Sequence, residues 1–168
     1  MFYQFLNAID KYSNFSTAKA HCDIPCKIYD PITAQLATLS VIRFLDLINE
    51  LQQNEPLSLN DQAKLTRLVN EKETHAAKAK DEVRIIWGDF IKQPQIDERP
   101  DTHNLVHNIM LAASACKQNI DRKNGEHLLA LVNQFADDFW FAKGIATYQA
   151  TCPYPPAEKL IYPVLATN

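Results

Sequence analysis

Residues 21–31, with the sequence HCDIPCKIYDP, bring an imidazole, two thiols, a carboxylate and a phenol into one short segment. A thiolate is both a nucleophile and a soft metal ligand, and only three residues separate Cys22 from Cys26. Pro25 favours a turn between them, and a turn would let both sulfurs face one point. The segment therefore has the chemistry of a metal-binding hook.

Other interpretations fit the two cysteines alone. Such a pair is typical of a disulfide hairpin, of half a zinc site, or of two unrelated buried thiols. A disulfide is disfavoured because the chain has no convincing secretory signal. A zinc site needs further ligands, and Cys116 and Cys152 stand far apart in the sequence. The adjoining His21 and the trailing Tyr-Asp-Pro distinguish this segment from a bare pair.

The elements that must position the hook are helical. Asp30 and Pro31 suit the N-cap and first position of a helix, and apolar residues recur at helical spacing from Ile32 to Ile48. Three more helical patterns follow, beginning near Asn60 or Asp61, at Asp101 and after Gly125, with loops at 52–59, 94–100 and 118–125. We therefore predict an all-α fold, an antiparallel four-helix bundle over residues 31–146, preceded by the hook at 21–31.

Composition narrows the class of protein. A length of 168 residues suits one domain with a proper core. The net charge of −3 argues against non-specific nucleic-acid binding, and the three glycines disfavour a turn-rich β architecture. We expect no stretch after the first segment to be apolar enough to span a membrane, and therefore neither nucleic acid nor membrane as a partner.

The two ends of the chain lie outside the predicted four-helix bundle. In residues 1–20, Ala18-Lys19-Ala20 resembles a signal-peptidase site, but there is no basic start and no sufficiently long apolar run. The same residues could form an amphipathic helix that stays with the fold. Residues 147–168 hold four prolines and predict an extended arm, used for packing or assembly rather than catalysis.

The pattern HCDxPCxxYDP resembles the metal hook of the nickel-containing superoxide dismutases. Three later segments resemble that family in the same order. WGDFIKQP at 87–94 is similar to W-S-D-Y-F-K-P-P, PDTHNLVHN at 100–108 to P-E-L-H-x-L-V-N-D, and FWFAK at 139–143 to F-W-x-x-K. The resemblance spans His21 to about Lys143, leaving the first segment and the arm outside it.

This resemblance implies an activity, a cofactor and an assembly. The activity is disproportionation of superoxide, the cofactor is a nickel ion, and the fold is a four-helix bundle. It also implies a cytoplasmic protein that forms a homohexamer with the hooks facing a hollow interior. Residues 1–20 would be a prosegment that a dedicated processing peptidase removes, which exposes His21.

Cleavage before His21 would create the implied ligand set. The new α-amine, the Cys22 amide nitrogen and the Cys22 thiolate close two fused five-membered chelate rings, and Cys26 completes a planar set of two nitrogens and two sulfurs. Planar sets suit Ni(II) or Cu(II), whereas zinc prefers tetrahedral thiolates. The His21 imidazole can bind axially. Thiolate and amide donors stabilise the higher oxidation state, which favours a Ni(II)/Ni(III) couple.

Asp23 and Tyr29 are the candidate catalytic residues. Tyr29 would hydrogen-bond a small anion or its water, although it could equally anchor the hook, and Asp23 could equally be a turn residue. Lys27, beside a ligand, could attract an anionic substrate, or it could be an ordinary surface lysine. His103 and His107, four residues apart on a helix, suggest either a metal site or a buried or interface pair.

Several positions depart from the family pattern. Lys27 stands where a glycine is usual, Ala37 where a glutamate is usual, His75 in place of an arginine and Phe90 in place of a tyrosine. We expect His75, or a water beside Ala37, to support the His21 imidazole. Because the ligands are intact, these changes affect rate more than reaction. The alternatives are a non-catalytic nickel- or copper-binding bundle and a structural bundle with a zinc-bound or disulfide-closed hook.

Overall fold

The computed structural model describes residues 27–54 and 56–165. The predicted ligands His21, Cys22 and Cys26, the candidate catalytic residue Asp23, and the proposed prosegment 1–20 lie outside the described residues. The helices and strands, in chain order, are α1 (Ile32–Gln52), α2 (Leu59–Ile85), a π-helical turn (Ile86–Phe90), α3 (Gln93–Glu98), α4 (Thr102–Gln118), α5 (Arg122–Ala142), β1 (Thr147–Thr151) and β2 (Lys159–Pro163).

Four long helices form the bundle, which confirms the predicted fold class. α1 packs against α2 and α5, and α4 packs against the same two helices, so the four close into a ring. Buried side chains from all four meet in the centre, including Leu45, Val83, Ile109 and Phe135. The bundle brings the start of α1 beside the end of α2, where the predicted hook enters.

Local signals set the helix starts. The Asp30 carboxylate accepts a hydrogen bond from the Ile32 N–H at 2.8 Å, so Asp30 caps α1 although the helix begins one residue after Pro31. Ser58 and Asp61 form a reciprocal capping box at the start of α2. These contacts satisfy N–H groups that have no partner inside the helix.

The apolar character of α1 exceeds the sequence expectation. We expected no stretch after the first segment to be apolar enough to span a membrane, and that expectation was wrong for α1. The helix has the length and, with a mean hydropathy of 1.2, the composition of a span. Half of that stretch is buried inside the protein, so packing against α2 and α5 accounts for its apolar residues.

Two predicted loops are partly helical. The stretch between Pro94 and Pro100 contains the short helix α3. Gly125, expected in a turn, lies inside α5, where an added Cβ would come within 2.8 Å of the Ile42 side chain. Glycine is therefore used here for the close approach of two helices, which local sequence signals do not reveal.

The predicted C-terminal arm is a β-hairpin that packs on the bundle. β1 and β2 pair in antiparallel register, with Tyr148 opposite Tyr162 and Ala150 opposite Leu160. Leu160 is fully buried and Cys152 nearly so, in a cluster with three bundle residues, Leu39, Ile42 and Leu129. The pairing of these two strands and their packing on the bundle were not foreseen.

Candidate metal centre

The described part of the hook, residues 27–30, enters the bundle against the end of α2. Tyr29 is half-buried and packs against the main core, with its ring centroid 6.0 Å from that of Phe90. A shallow cavity of about 190 Å³ opens beside it. The cavity is lined by Ile28, Tyr29, Asp30, Thr33, Glu82, Ile85 and Ile86. This contact anchors the end of the hook that lies nearest the bundle.

A π-helical turn brings Phe90 to this position. The Ile91 N–H donates to the Ile86 carbonyl at 3.2 Å, five residues back, and so widens the last turn after α2. The Lys92 ammonium donates to the Gly88 carbonyl at 2.8 Å across the same turn. Lys92 was expected near the site, and this hydrogen bond holds its side chain against the backbone of the π-helical turn. Such π-bulges occur frequently at functional sites.

A row of aromatic rings extends inward from Tyr29. Phe90 lies 4.9 Å from Phe139 between ring centroids, and Phe139 lies 5.0 Å from Trp140. The Lys143 ammonium sits 5.2 Å from the Phe90 centroid and 5.1 Å from that of Phe139, within cation–π range. The end of the hook nearest the bundle therefore packs against a row of aromatic rings, and the Lys143 ammonium lies beside two of these rings.

The sequence places Lys143 in a motif that resembles the family, but it does not indicate that Lys143 lies beside Phe90. It belongs to the FWFAK segment, whose resemblance to the family was evident. Its proximity to Phe90 follows from the packing of α5 against the turn after α2, and no local pattern encodes that packing. Phe90 contributes no hydroxyl where the resemblance leads us to expect one, so Tyr29 supplies the phenol of this aromatic row.

Lys27 has a backbone conformation that explains the glycine expected at this position. Its φ is +58°, in the left-handed region that glycine adopts without penalty. For a residue with a Cβ this conformation costs on the order of 1 kcal/mol. Lys27 therefore adopts a conformation suited to glycine although it is not one, and its exposed side chain adds a positive charge there.

Lys27→Gln is expected to reduce substrate capture only at low ionic strength. Glutamine keeps the Cβ and the strained backbone, so the variant removes the charge alone. Loss of one cation near the pocket should lower kcat/KM for superoxide, the substrate that the resemblance implies, by roughly a factor of two and flatten its decline with salt. The measurement is kcat/KM across a salt series, with nickel content determined in parallel.

The matched control for that experiment is Lys64→Gln, which removes an exposed lysine near the start of α2. It should leave the salt profile unchanged. Identical salt profiles for wild type and Lys27→Gln would make Lys27 an ordinary surface lysine.

Two positions expected to support the axial imidazole lie within α1 and α2. Ala37 is buried. His75 Nδ1 lies 2.8 Å from the Glu71 carbonyl oxygen, and the ring packs 5.3 Å from that of Phe44. His75 is thus held by its own helix and by α1. Its proposed contact with His21 involves a residue outside the described part and stays a prediction.

The His103 and His107 pair is exposed, not buried. The Trp87 indole N–H donates to His103 Nδ1 at 3.1 Å, with the two rings edge to face. An Nδ1 that accepts a hydrogen bond leaves the proton of a neutral imidazole on Nε2, where a metal would have to displace it. Within residues 27–54 and 56–165, no three His, Cys, Asp or Glu side chains are grouped to hold a metal.

The remaining cysteines do not provide zinc ligands for the hook. Cys116 is fully buried between helices, and burial raises the pKa of its thiol to about 11. Cys152 is buried under the hairpin, where its Sγ–H donates to the Tyr154 carbonyl at 3.2 Å. Metals bind the thiolate, which burial disfavours at Cys116, and the Cys152 side chain is enclosed under the hairpin, so both residues are structural. The candidate ligands therefore stay in the hook.

The fold and this hook entrance define a class: a four-helix bundle with a thiolate-bearing segment before its first helix. The family model for nickel-containing superoxide dismutase matches residues 16–143. The chain is 33% identical over 127 residues to "Superoxide dismutase [Ni]" of Streptomyces coelicolor, covering 76% of this chain and 91% of that protein. The same enzyme of Streptomyces seoulensis is 32% identical over 124 residues, 74% of this chain and 88% of that protein.

Solved structures agree with these relatives. The native nickel superoxide dismutase structure at 1.30 Å matches with a TM-score of 0.65 and 31% identity, over 74% of this chain and 99% of that chain. A structure of the enzyme with nickel ligation of the oxidised state matches with a TM-score of 0.64 at the same identity and coverage. The chain belongs to the nickel-containing superoxide dismutase family.

Proposed function

We propose that this protein disproportionates superoxide to oxygen and hydrogen peroxide at a nickel ion held by His21, Cys22 and Cys26. The observation that carries the proposal is the intact HCDxPCxxYDP hook inside the family-matched segment, whose Tyr29 packs against the bundle. Family membership supports catalysis rather than the alternative of a bundle that only binds nickel or copper.

The donor set fits nickel by its chemistry. Two thiolates from Cys22 and Cys26, the His21 α-amine and the Cys22 amide would offer donors of the kind that Ni(II) favours, whereas zinc favours tetrahedral thiolate sites. A nickel ion held by these residues would supply a one-electron redox couple suited to disproportionation. Two superoxide ions and two protons then yield one oxygen and one hydrogen peroxide.

The chain's own residues position and shield this chemistry. The packing of Tyr29 on Phe90 fixes the end of the hook, and the rings behind it exclude water from that side. We assign the Tyr29 phenol and the Asp23 carboxylate to the shape of the substrate pocket. The Lys27 side chain, exposed at the hook, adds local positive charge for an anionic substrate on a net negative chain.

The proposal includes processing, assembly and location. We infer that a peptidase removes residues 1–20, that the mature chains form a homohexamer, and that the protein is cytoplasmic. The basis for these three inferences is the resemblance of the hook to that of the family.

Superoxide consumption by the nickel-loaded chain beginning at His21 tests the proposed function. We expect stoichiometric nickel and rapid superoxide loss, followed by stopped-flow absorbance. The same protein loaded with zinc is the control, because zinc has no accessible redox couple. Stoichiometric nickel without faster superoxide loss would instead identify a metal-binding protein.

A further inference from the structure

The C-terminal hairpin lies outside the part of the chain shared with the family. The family match ends at residue 143, and the hairpin strands occupy Thr147–Thr151 and Lys159–Pro163. The solved native enzyme is covered over 99% of its length by 74% of this chain. The hairpin is therefore an addition to the shared fold, and it contributes no residue to the proposed metal centre.

The hydrogen-bond pattern identifies which backbone groups point away from the hairpin. The Val164 N–H donates to the Ala146 carbonyl, and the Cys152 N–H donates to the Glu158 carbonyl. In an antiparallel pair, bonded and non-bonded residue pairs alternate. The backbone N–H and C=O groups at positions 147, 149 and 151, and the corresponding groups at 159, 161 and 163, therefore face the two outer edges.

The outer edge of β2 is closed by the bundle. Asn133 Nδ2 donates to the Lys159 carbonyl at 2.8 Å, and the Ile161 N–H donates to Asn133 Oδ1 at 3.3 Å. Gln35 Nε2 donates to the Ile161 carbonyl at 3.0 Å and to Asn133 Oδ1 at 2.9 Å. Two buried amides, one from α1 and one from α5, thus take the place of a neighbouring strand.

The outer edge of β1 is open. Among the described residues, none forms a hydrogen bond to the outward backbone groups of Thr147, Gln149 and Thr151. Gln149 and Thr151 are exposed, and so is Tyr148, whose exposed fraction is 52%. β1 contains neither a charged residue nor a proline, which natural edge strands use to prevent pairing.

We propose that β1 pairs with β1 of a second copy of this chain, giving a four-stranded sheet across a two-fold axis. The strand TYQAT is symmetric for such pairing about Gln149. Gln149 faces its own counterpart, and Thr147 of one copy faces Thr151 of the other. Every outward-facing residue then meets another outward-facing residue, and each such pair exchanges two backbone hydrogen bonds.

The chemistry of the edge favours a second copy over an unrelated partner. Threonine pairs across neighbouring strands are favourable, and β1 itself has no charged side chain. The nearest carboxylate, Asp137 of α5, accepts a hydrogen bond from the Thr147 hydroxyl. The contact is isologous, so each β1 edge is used up by one partner, within or between the homohexamers proposed above. One short strand per copy buries much less than the roughly 1,200 Å² of a standard interface, so the association should be reversible and concentration-dependent.

Charge reversal at Gln149 tests the pairing. Gln149→Lys and Gln149→Glu each place like charges face to face at the two-fold axis, and should each raise the midpoint of association by about two- to fivefold. A one-to-one mixture of the two variants should restore wild-type association. Asn108→Lys, at an exposed position on α4, is the charge-matched control. Sedimentation velocity over a concentration series gives the midpoints.

Crosslinking tests the predicted register. In Gln149→Cys, the two facing cysteines should form a covalent dimer under mild oxidation, because hydrogen-bonded antiparallel pairs lie about 5.5 Å apart between Cα atoms. Asn108→Cys should not do so. Wild-type association in the single-charge variants, or failure of their mixture to recover, would overturn the proposal.

Discussion

Cys26→Ser is expected to abolish superoxide consumption while the bundle remains folded. A serine hydroxyl is a hard, weakly acidic donor and cannot replace the thiolate that completes the proposed planar site. We expect turnover to fall by more than about 100-fold, beyond the usual effect of changing a group that only supports a ligand. The measurements are stopped-flow superoxide decay and nickel content of the purified variant.

The bundle should tolerate this substitution because its described core begins after Cys26. The buried residues run from Pro31 to Leu160, and Cys26 precedes all of them. Circular dichroism and thermal unfolding should therefore match the wild type. Cys116→Ala is the matched control: it removes a thiol from the core and should keep both nickel and activity. Near-normal turnover in Cys26→Ser would show that the proposed ligand set is wrong.

The sequence predicted the bundle because its signals are local. Asp30 caps α1 where an Asp-Pro pair indicated a helix start, and periodic apolar residues placed the core faces. The sequence failed where long-range packing decides. Gly125 serves a close contact with Ile42 and not a turn. The hairpin was missed because its turn contains prolines and an Ala157 with a φ of +60°, not the glycine that usually signals one.

The candidate site was likewise predictable in its local features and not in those that depend on long-range packing. Its donors and their spacing are visible in the sequence, because chelation by neighbouring residues is a local property. The packing of Tyr29 on Phe90, and of Lys143 over both Phe90 and Phe139, depends on the π-helical turn after α2 and on the position of α5. Neither follows from the spacing of residues within one segment.

Cleavage between Ala20 and His21 is expected to be required for activity. Only a free His21 terminus supplies an α-amine, whereas in the uncut chain the same nitrogen belongs to a peptide bond. Without the amine one of the four planar donors is lost, so the uncut chain should be at least about 100-fold less active even when nickel is supplied. The comparison uses chain 21–168 and the full chain, both loaded with nickel and assayed for superoxide decay.

A third protein separates the amine from the bulk of the prosegment. Chain 20–168 keeps the His21 imidazole and both thiols and adds only Ala20, which converts the His21 amine into an amide. If the amine is the ligand, this chain should be as inactive as the full-length protein. If the prosegment acts by covering the hook, it should be as active as chain 21–168. Equal activity in all three proteins would remove the α-amine from the proposed ligand set.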